Sequence, residues 1–179
     1  MNADRQTAIL EAARQQFARH GYAGSTIRSI AAEADVDPAL VMHYFRTKDA
    51  LFAATLDQAS ALIDGVAAAL EGPRDGLAER LARAYLGAWE APQTSLTLLS
   101  VARSALSSPV AAQIVRQMLE GRLLARQTTV RPERLNLVGA QLFGIATARY
   151  VLRTEPLASM TLDEVVVTIA PALHALLVD

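Results

Sequence analysis

Apolar positions recur along this chain at intervals of three and four, and no stretch shows the two-residue alternation of a half-buried strand. Glycine and proline punctuate that pattern into nine predicted helices, so the expected fold class is all-α. The first spans about Asp4 to His20, with Ile9, Ala13 and Phe17 on one stripe and Gly21 where a left-handed C-cap belongs. A short second helix runs from about Thr26 to Ala34, capped by Ser25 or Thr26 and broken by Asp35-Val36-Asp37. Asp37-Pro38, a capping carboxylate followed by proline at the first helical position, opens a third that ends near Phe45. Thr47 caps a fourth that the pattern carries to Leu70, roughly 35 Å at the α-helical rise. Five more cover about Leu77 to Glu90, Ser95 to Leu106, Pro109 to Thr128, Pro132 to Thr154 and Thr161 to Val178, and Pro171 should kink the last.

Composition agrees with helices. Alanine and leucine supply 60 of the 179 residues, while aromatics are only 5%. With 52% hydrophobic residues and no flexible linker, the chain reads as two rigidly joined domains, residues 1–46 and 47–179, connected through the fourth helix. The absence of cysteine excludes a disulfide framework and a thiolate metal site. No uninterrupted apolar run approaches the ~18 residues of a membrane span, and the charged N-terminus does not resemble a secretory signal, so a cytoplasmic, membrane-free protein is expected. The net charge of −1 provides no general attraction for nucleic acid. Residues 1–50 are themselves neutral, with six basic and six acidic residues, so any DNA binding must rest on a few placed contacts.

Residues 25–45 are the informative segment. Two helices of about two turns, joined by a three-residue turn, place Ile30, Ala31, Val36, Val41 and Phe45 where a small core between crossing helices needs them. That is the pattern of a helix-turn-helix, and taken alone it fits an ordinary helical hairpin as well. The flanking residues add to it. Behind Phe45, His43-Tyr44-Phe45 is followed by Lys48 and Leu51-Phe52; ahead of it come Ile9-Leu10, Ala12-Ala13, Phe17, Gly21-Tyr22 and Ser25-Thr26-Ile27-Arg28. Over about residues 5–52 this arrangement resembles the TetR family of bacterial transcriptional regulators. The stretch Ala148-Arg149-Tyr150-Val151-Leu152-Arg153, with Glu155-Pro156-Leu157-Ala158 behind it, looks like the C-terminal domain of one subgroup.

The resemblance implies a ligand-responsive regulator, most simply a repressor. It would bind a palindromic DNA operator as a homodimer and be released by a small organic effector, with no cofactor and no metal. Physical roles follow for particular residues. Ser25 or Thr26 would meet a phosphate at a helix start, and Arg28 a phosphate or base edge. Pro38, Ala39 and Leu40 lead the recognition helix with apolar contacts only, while His43 and Tyr44 offer hydrogen bonds. Lys48, the only lysine, would clamp a phosphate as the family's lysine does, assisted by Arg46. Two residues depart from the family pattern. Met42 replaces a common phosphate-binding tyrosine, and Asp37 replaces a frequent serine and is read as a cap. Three phosphates per subunit would give a salt slope of roughly −5 for a dimer.

The eighth predicted helix carries Leu135, Val138, Leu142, Ile145, Arg149 and Leu152 at helical spacing, and the ninth Leu162, Val166, Ile169 and Leu173, so the pair is the expected dimer interface. Tyr85, Trp89, Arg103, Met118, Arg122 and Phe143 are the candidates for an effector pocket suited to a flat or anionic molecule. Enzyme signatures are missing: no GxSxG, no HExxH and no phosphate-binding glycine loop, and the three histidines lack metal-ligand spacing. The competing reading is a helical ligand-binding or adapter protein without sequence-specific DNA binding. When bound to an operator the regulator would be nucleoid-associated.

Overall fold

The computed structural model describes residues 2–57, 60–123 and 130–177, with the side chains of residues 2, 3, 60, 61 and 121–123 outside that description. Ten α-helices and one π-helical stretch make up the described residues, with no strand among them. They are α1 (Asn2–Gly24), α2 (Ile27–Glu33), α3 (Pro38–Phe45), α4 (Lys48–Leu56), α5 (Ser60–Glu71), α6 (Leu77–Glu90), α7 (Ser95–Ser107), α8 (Pro109–Leu123), α9 (Pro132–Ala146), the π-helical Thr147–Leu152, and α10 (Leu162–Leu177). Where the pattern carries one helix from Thr47 to Leu70, the structure has α4 and α5 on either side of residues 58 and 59. The expected ends near Thr128 and Val178 lie outside the described residues.

The helices sort into two compact units. The first comprises Met1–Ser60 and Leu96–Leu119, the second Ala61–Ser95 and Glu120–Asp179. In the first, Ile9, Ala13 and Phe17 of α1 are fully buried with Ile30 and Ala31 of α2, Val41 of α3 and Leu51 and Phe52 of α4. Ala111 and Val115 of α8 complete this core, and an aromatic group sits at its centre: the Phe17 and Phe52 rings meet edge to face at 5.1 Å, and Tyr22 packs on Phe52 at 5.4 Å. Ile30, Ala31, Val41 and Phe45 are buried between α2 and α3 as the helix-turn-helix spacing requires, with Val36 half-buried in the turn. Outside that core Arg19 pairs with Glu33, and Gln16 Nε2 donates to the same carboxylate at 2.5 Å, tying α1 to α2.

In the second unit α6, α9 and α10 pack on one another around Leu81, Leu86, Trp89, Val138, Leu142, Val166 and Leu173. A capping box starts α10: the Thr161 N–H donates to Glu164 Oε2 at 2.7 Å and the Glu164 N–H to Thr161 Oγ1 at 3.3 Å. The Thr161 N–H and the Thr161 hydroxyl, which also donates to Oε2 at 2.9 Å, together lower the pKa of the Glu164 carboxyl. Arg83 of α6 donates to Asp163 at 2.5 Å. Pro132–Leu152, 21 residues holding an 18-residue window of mean hydropathy 1.2, is long and apolar enough to cross a membrane by length and composition, although its run is broken by polar residues. Only 22% of an 18-residue window within it is buried in the single chain.

Candidate nucleic-acid interface

The approach to α2 is set by Gly21. Its φ of 68° and ψ of 175° lie in a region that residues with side chains rarely adopt, and a Cβ there would stand 3.1 Å from Ser107 Oγ. The positive φ expected of a C-cap is present, with an extended ψ in place of the left-handed helical one. Gly21 kinks α1, and Tyr22 and Ser25 beyond the kink are buried. The Ser25 hydroxyl donates to the Gly21 carbonyl at 2.8 Å and the residue is 1% exposed, so this side chain faces inward and not towards a duplex. A buried hydroxyl needs a partner, and the open carbonyl at Gly21 supplies one. Thr26 is therefore the exposed member of the pair and the true N-cap. Its Oγ1 accepts from the Ser29 N–H at 3.0 Å, and Ser29 Oγ accepts from the Thr26 N–H at 3.0 Å.

Asp37 caps α3, its carboxylate accepting from the Ala39 N–H at 2.7 Å, which agrees with the reading of this acid as a cap. Pro38, Ala39, Met42 and His43 are exposed, Leu40 and Tyr44 half-buried, and Val41 and Phe45 turned into the core. Met42, 44% exposed, lies on the same open face as Ala39 and His43. Sequence reading treated it only as a missing phosphate contact, although the spacing 38, 39, 42, 43 already marks one helical face. Arg28 of α2 is exposed, as is Arg46, which ends α3 with a φ of 62°.

Lys48 is placed differently from the expectation. Its ammonium donates to the Tyr22 carbonyl at 2.9 Å and the Ser25 carbonyl at 3.1 Å, and lies 4.1 Å from the centre of the Tyr22 ring. The Tyr22 hydroxyl in turn donates to Asp49. Burial lowers the Lys48 pKa, opposed by the charge of Asp49, and burial with the Asp49 hydrogen bond pushes the Tyr22 hydroxyl up to about 12. Nothing in the local sequence pattern shows this bracket, because its halves are 26 residues apart.

The expected effector residues are divided between the two units. Arg103 and Met118 belong to the first unit, Tyr85, Trp89 and Phe143 to the second, and the side chain of Arg122 lies outside the described residues. Arg103 is exposed and donates to the Arg19 carbonyl at 3.1 Å, and Met118 packs on the core of its unit. In the second unit Trp89 stacks on Tyr150 with ring centres 5.4 Å apart and planes 8° from parallel. The Tyr150 hydroxyl donates to Glu90 at 2.9 Å, and the Arg149 guanidinium reaches Glu90 at 3.1 Å and the Leu157 carbonyl at 2.5 Å. Tyr150 and Glu90 are missing from the sequence-based pocket: Tyr150 lies far along the chain on the π-helical stretch, and Glu90, beside Trp89 at the end of α6, becomes its neighbour only through the Tyr150 hydroxyl.

The expected dimer residues differ in exposure within the single chain. Val138, Leu142, Arg149, Val166 and Leu173 are between 0% and 7% exposed within the single chain, so their side chains serve the protomer core and have little surface left for a second copy. Leu135, Ile145, Leu162 and Ile169 are half-buried, and Leu152 is exposed. The open side of α9 carries Leu137, Ala140, Gln141 and Gly144, and that of α10 Val167, Pro171, Ala172 and Ala175.

Comparison with known proteins agrees with this architecture. Residues 9–55 match the family described as bacterial regulatory proteins, tetR family, and residues 75–177 match the tetracyclin repressor-like C-terminal domain. An HTH-type transcriptional repressor of Streptomyces coelicolor is 48% identical over 50 residues, 28% of this chain and 26% of that protein. An HTH-type transcriptional repressor of Mycobacterium tuberculosis is 50% identical over 50 residues, 28% of this chain and 27% of that protein. The matched segments thus span about a quarter of these curated relatives. Among solved structures, a TetR-family regulator from Streptomyces coelicolor is similar over 100% of this chain and 98% of its own, with a TM-score of 0.71 and 33% identity. The multidrug binding protein EbrR complexed with ethidium is similar over 94% of this chain and 97% of its own, with a TM-score of 0.64 and 28% identity.

Proposed function

The chain belongs to the TetR family, and from that premise we propose that it is a ligand-responsive transcriptional repressor that binds a palindromic operator as a homodimer. It acts by binding and not by catalysis. It works in the bacterial cytoplasm, on the nucleoid when bound. The observation that carries the reading is the open face of α3, where Pro38, Ala39, Met42 and His43 are exposed above a core formed by Val41 and Phe45. That face enters the major groove, with Thr26 and Arg28 beside it on the phosphates and Arg46 at its end. Leu40 and Tyr44, half-buried, contribute only their outer edges. Selection from a random duplex pool tests this. An inverted repeat that Arg28→Ala and His43→Ala bind more weakly supports it; a pool with no inverted repeat rejects it and favours the adapter reading.

One helix-turn-helix reads too few base pairs for genomic specificity, and two-fold pairing supplies the second half-site. We assign the pairing surface to α9 and α10. Both present small or apolar exposed residues, and a largely unburied apolar helix such as α9 needs cover. Apart from the adjoining residues and backbone of α9 itself, nothing lies within 4 Å of a Cβ placed on Gly139 or Gly144, so a second copy can approach this helix closely. Gly144→Arg is expected to yield a monomer in sedimentation, with its helical content unchanged.

The effector follows the aromatic pair. EbrR has been crystallised with ethidium and with proflavin, and here Trp89 and Tyr150 already stack as two flat surfaces. A small planar aromatic molecule packed against that pair is the ligand class it suits. Trp89 is the only tryptophan, so titration with proflavin should quench its fluorescence and release the operator together. Quenching without release separates binding from regulation.

A further inference from the structure

We propose that Lys48 is a positioning residue, not a phosphate contact: it braces the turn from Tyr22 to Ser25 and so sets the pose of Thr26 and Arg28 against DNA. This rests on the operator-binding reading above. An ammonium has three N–H donors and no acceptor. Two of them are engaged by carbonyls three residues apart in one turn, at 2.9 and 3.1 Å. The face of the Tyr22 ring stands 4.1 Å away and favours a cation there. That ring is fixed in turn, because its hydroxyl donates to Asp49, the next residue of α4. The first two residues of α4 therefore grip the turn from two sides. Swinging Lys48 out to a phosphate would strip both carbonyls of this donor and the ring of its cation. The neighbouring Asp49 carboxylate also offsets the charge that a phosphate contact would use.

The turn is what α2 starts from. Ser25, locked inward on the Gly21 carbonyl, is followed directly by the capping residue Thr26, and Arg28 lies within the first turn beyond it. A shift of the Ser25 carbonyl is passed to the cap and to the arginine through one peptide and one helical turn.

Arginine separates the two roles. It keeps the charge and binds phosphate well, but its planar fork does not seat as a point donor between two carbonyls above a ring. We expect Lys48→Arg and Lys48→Met to weaken operator binding alike, by about 30-fold. The dependence of log K on log salt should stay at the wild-type slope, about −3.6 for a dimer whose phosphate contacts are Arg28 and Arg46. Arg28→Ala, the comparison variant, should make that slope less negative by about 1.8. In the free protein, amide exchange at Thr26 to Ser29 should quicken about tenfold in Lys48→Arg and stay unchanged in Arg28→Ala. Binding by Lys48→Arg within about threefold of wild type, a Lys48→Met slope less negative by about 1.8, or unchanged amide exchange would each overturn the proposal. If the wild type selects no operator, the DNA-binding reading fails, and amide exchange alone decides whether Lys48 braces the turn.

Discussion

Among the described residues, each unit contains a cation laid against a tyrosine ring, bonded to backbone carbonyl oxygen and next to a carboxylate that accepts from the tyrosine hydroxyl. In the first unit these are Lys48, Tyr22 and Asp49; in the second, Arg149, Tyr150 and Glu90. The two differ in how the cation is used. Lys48 is a point donor shared between two carbonyls of a surface turn, and it makes no direct hydrogen bond to its neighbouring acid. Arg149 is 7% exposed and spreads its planar fork, one arm on the Leu157 carbonyl and the other on Glu90. A compact ammonium suits a tight turn that must present other residues outward. A guanidinium suits an interior junction where a π-helical turn, a loop and α6 are held by one group. The first bracket is thus placed to control geometry and the second to control stability.

Substitutions test that contrast, starting with the largest effect. Arg149→Ala should lower unfolding free energy by about 3 kcal/mol in urea titration. The low end of the buried-pair range applies because the Glu90 side chain is 40% exposed and regains water. Arg149→Lys should recover less than half of the loss, since one ammonium does not span both partners. Lys48→Met should cost only about 1 kcal/mol of global stability, its effect falling on operator binding instead. Equal stability losses at Lys48 and Arg149 would erase the distinction.

Tyr150→Phe should cost about 1 kcal/mol for its hydrogen bond to Glu90, while keeping the stack on Trp89 and hence the tryptophan emission of the wild type. The smallest effect is alkaline. Tyr22 and Tyr150 both have hydroxyls pushed up to about 12, chiefly by burial, against 10.0 for a free phenol. A raised folded pKa means that the unfolded chain loses its protons first, so this stability is complete below pH 10 and fades as pH rises towards 12. Urea midpoints measured across that window should fall, and should fall less in Tyr22→Phe and Tyr150→Phe. A flat profile would show that the phenols are not held in their neutral form.

Much of this was legible in the residues. Asp37-Pro38 marked the start of α3, Thr47 capped α4, and the spacing of Ile30, Ala31, Val41 and Phe45 located the small core beneath the recognition helix, because caps and helical periodicity act over a few residues. The dimer face is less legible. Val138, Leu142, Val166 and Leu173 have the apolar spacing of an interface, yet they pack inside one chain. Periodicity reports that a face is covered and does not name what covers it.

The amino-acid sequence by itself determined the all-helical class, the helix-turn-helix and the family, through signals that are local in the chain. Only the tertiary structure decided that Ser25 turns inward, that Lys48 holds a turn 23 to 26 residues away, and that Trp89 meets Tyr150 some 60 residues on. Those outcomes depend on which distant carbonyl, ring or carboxylate is left over once the helices have packed.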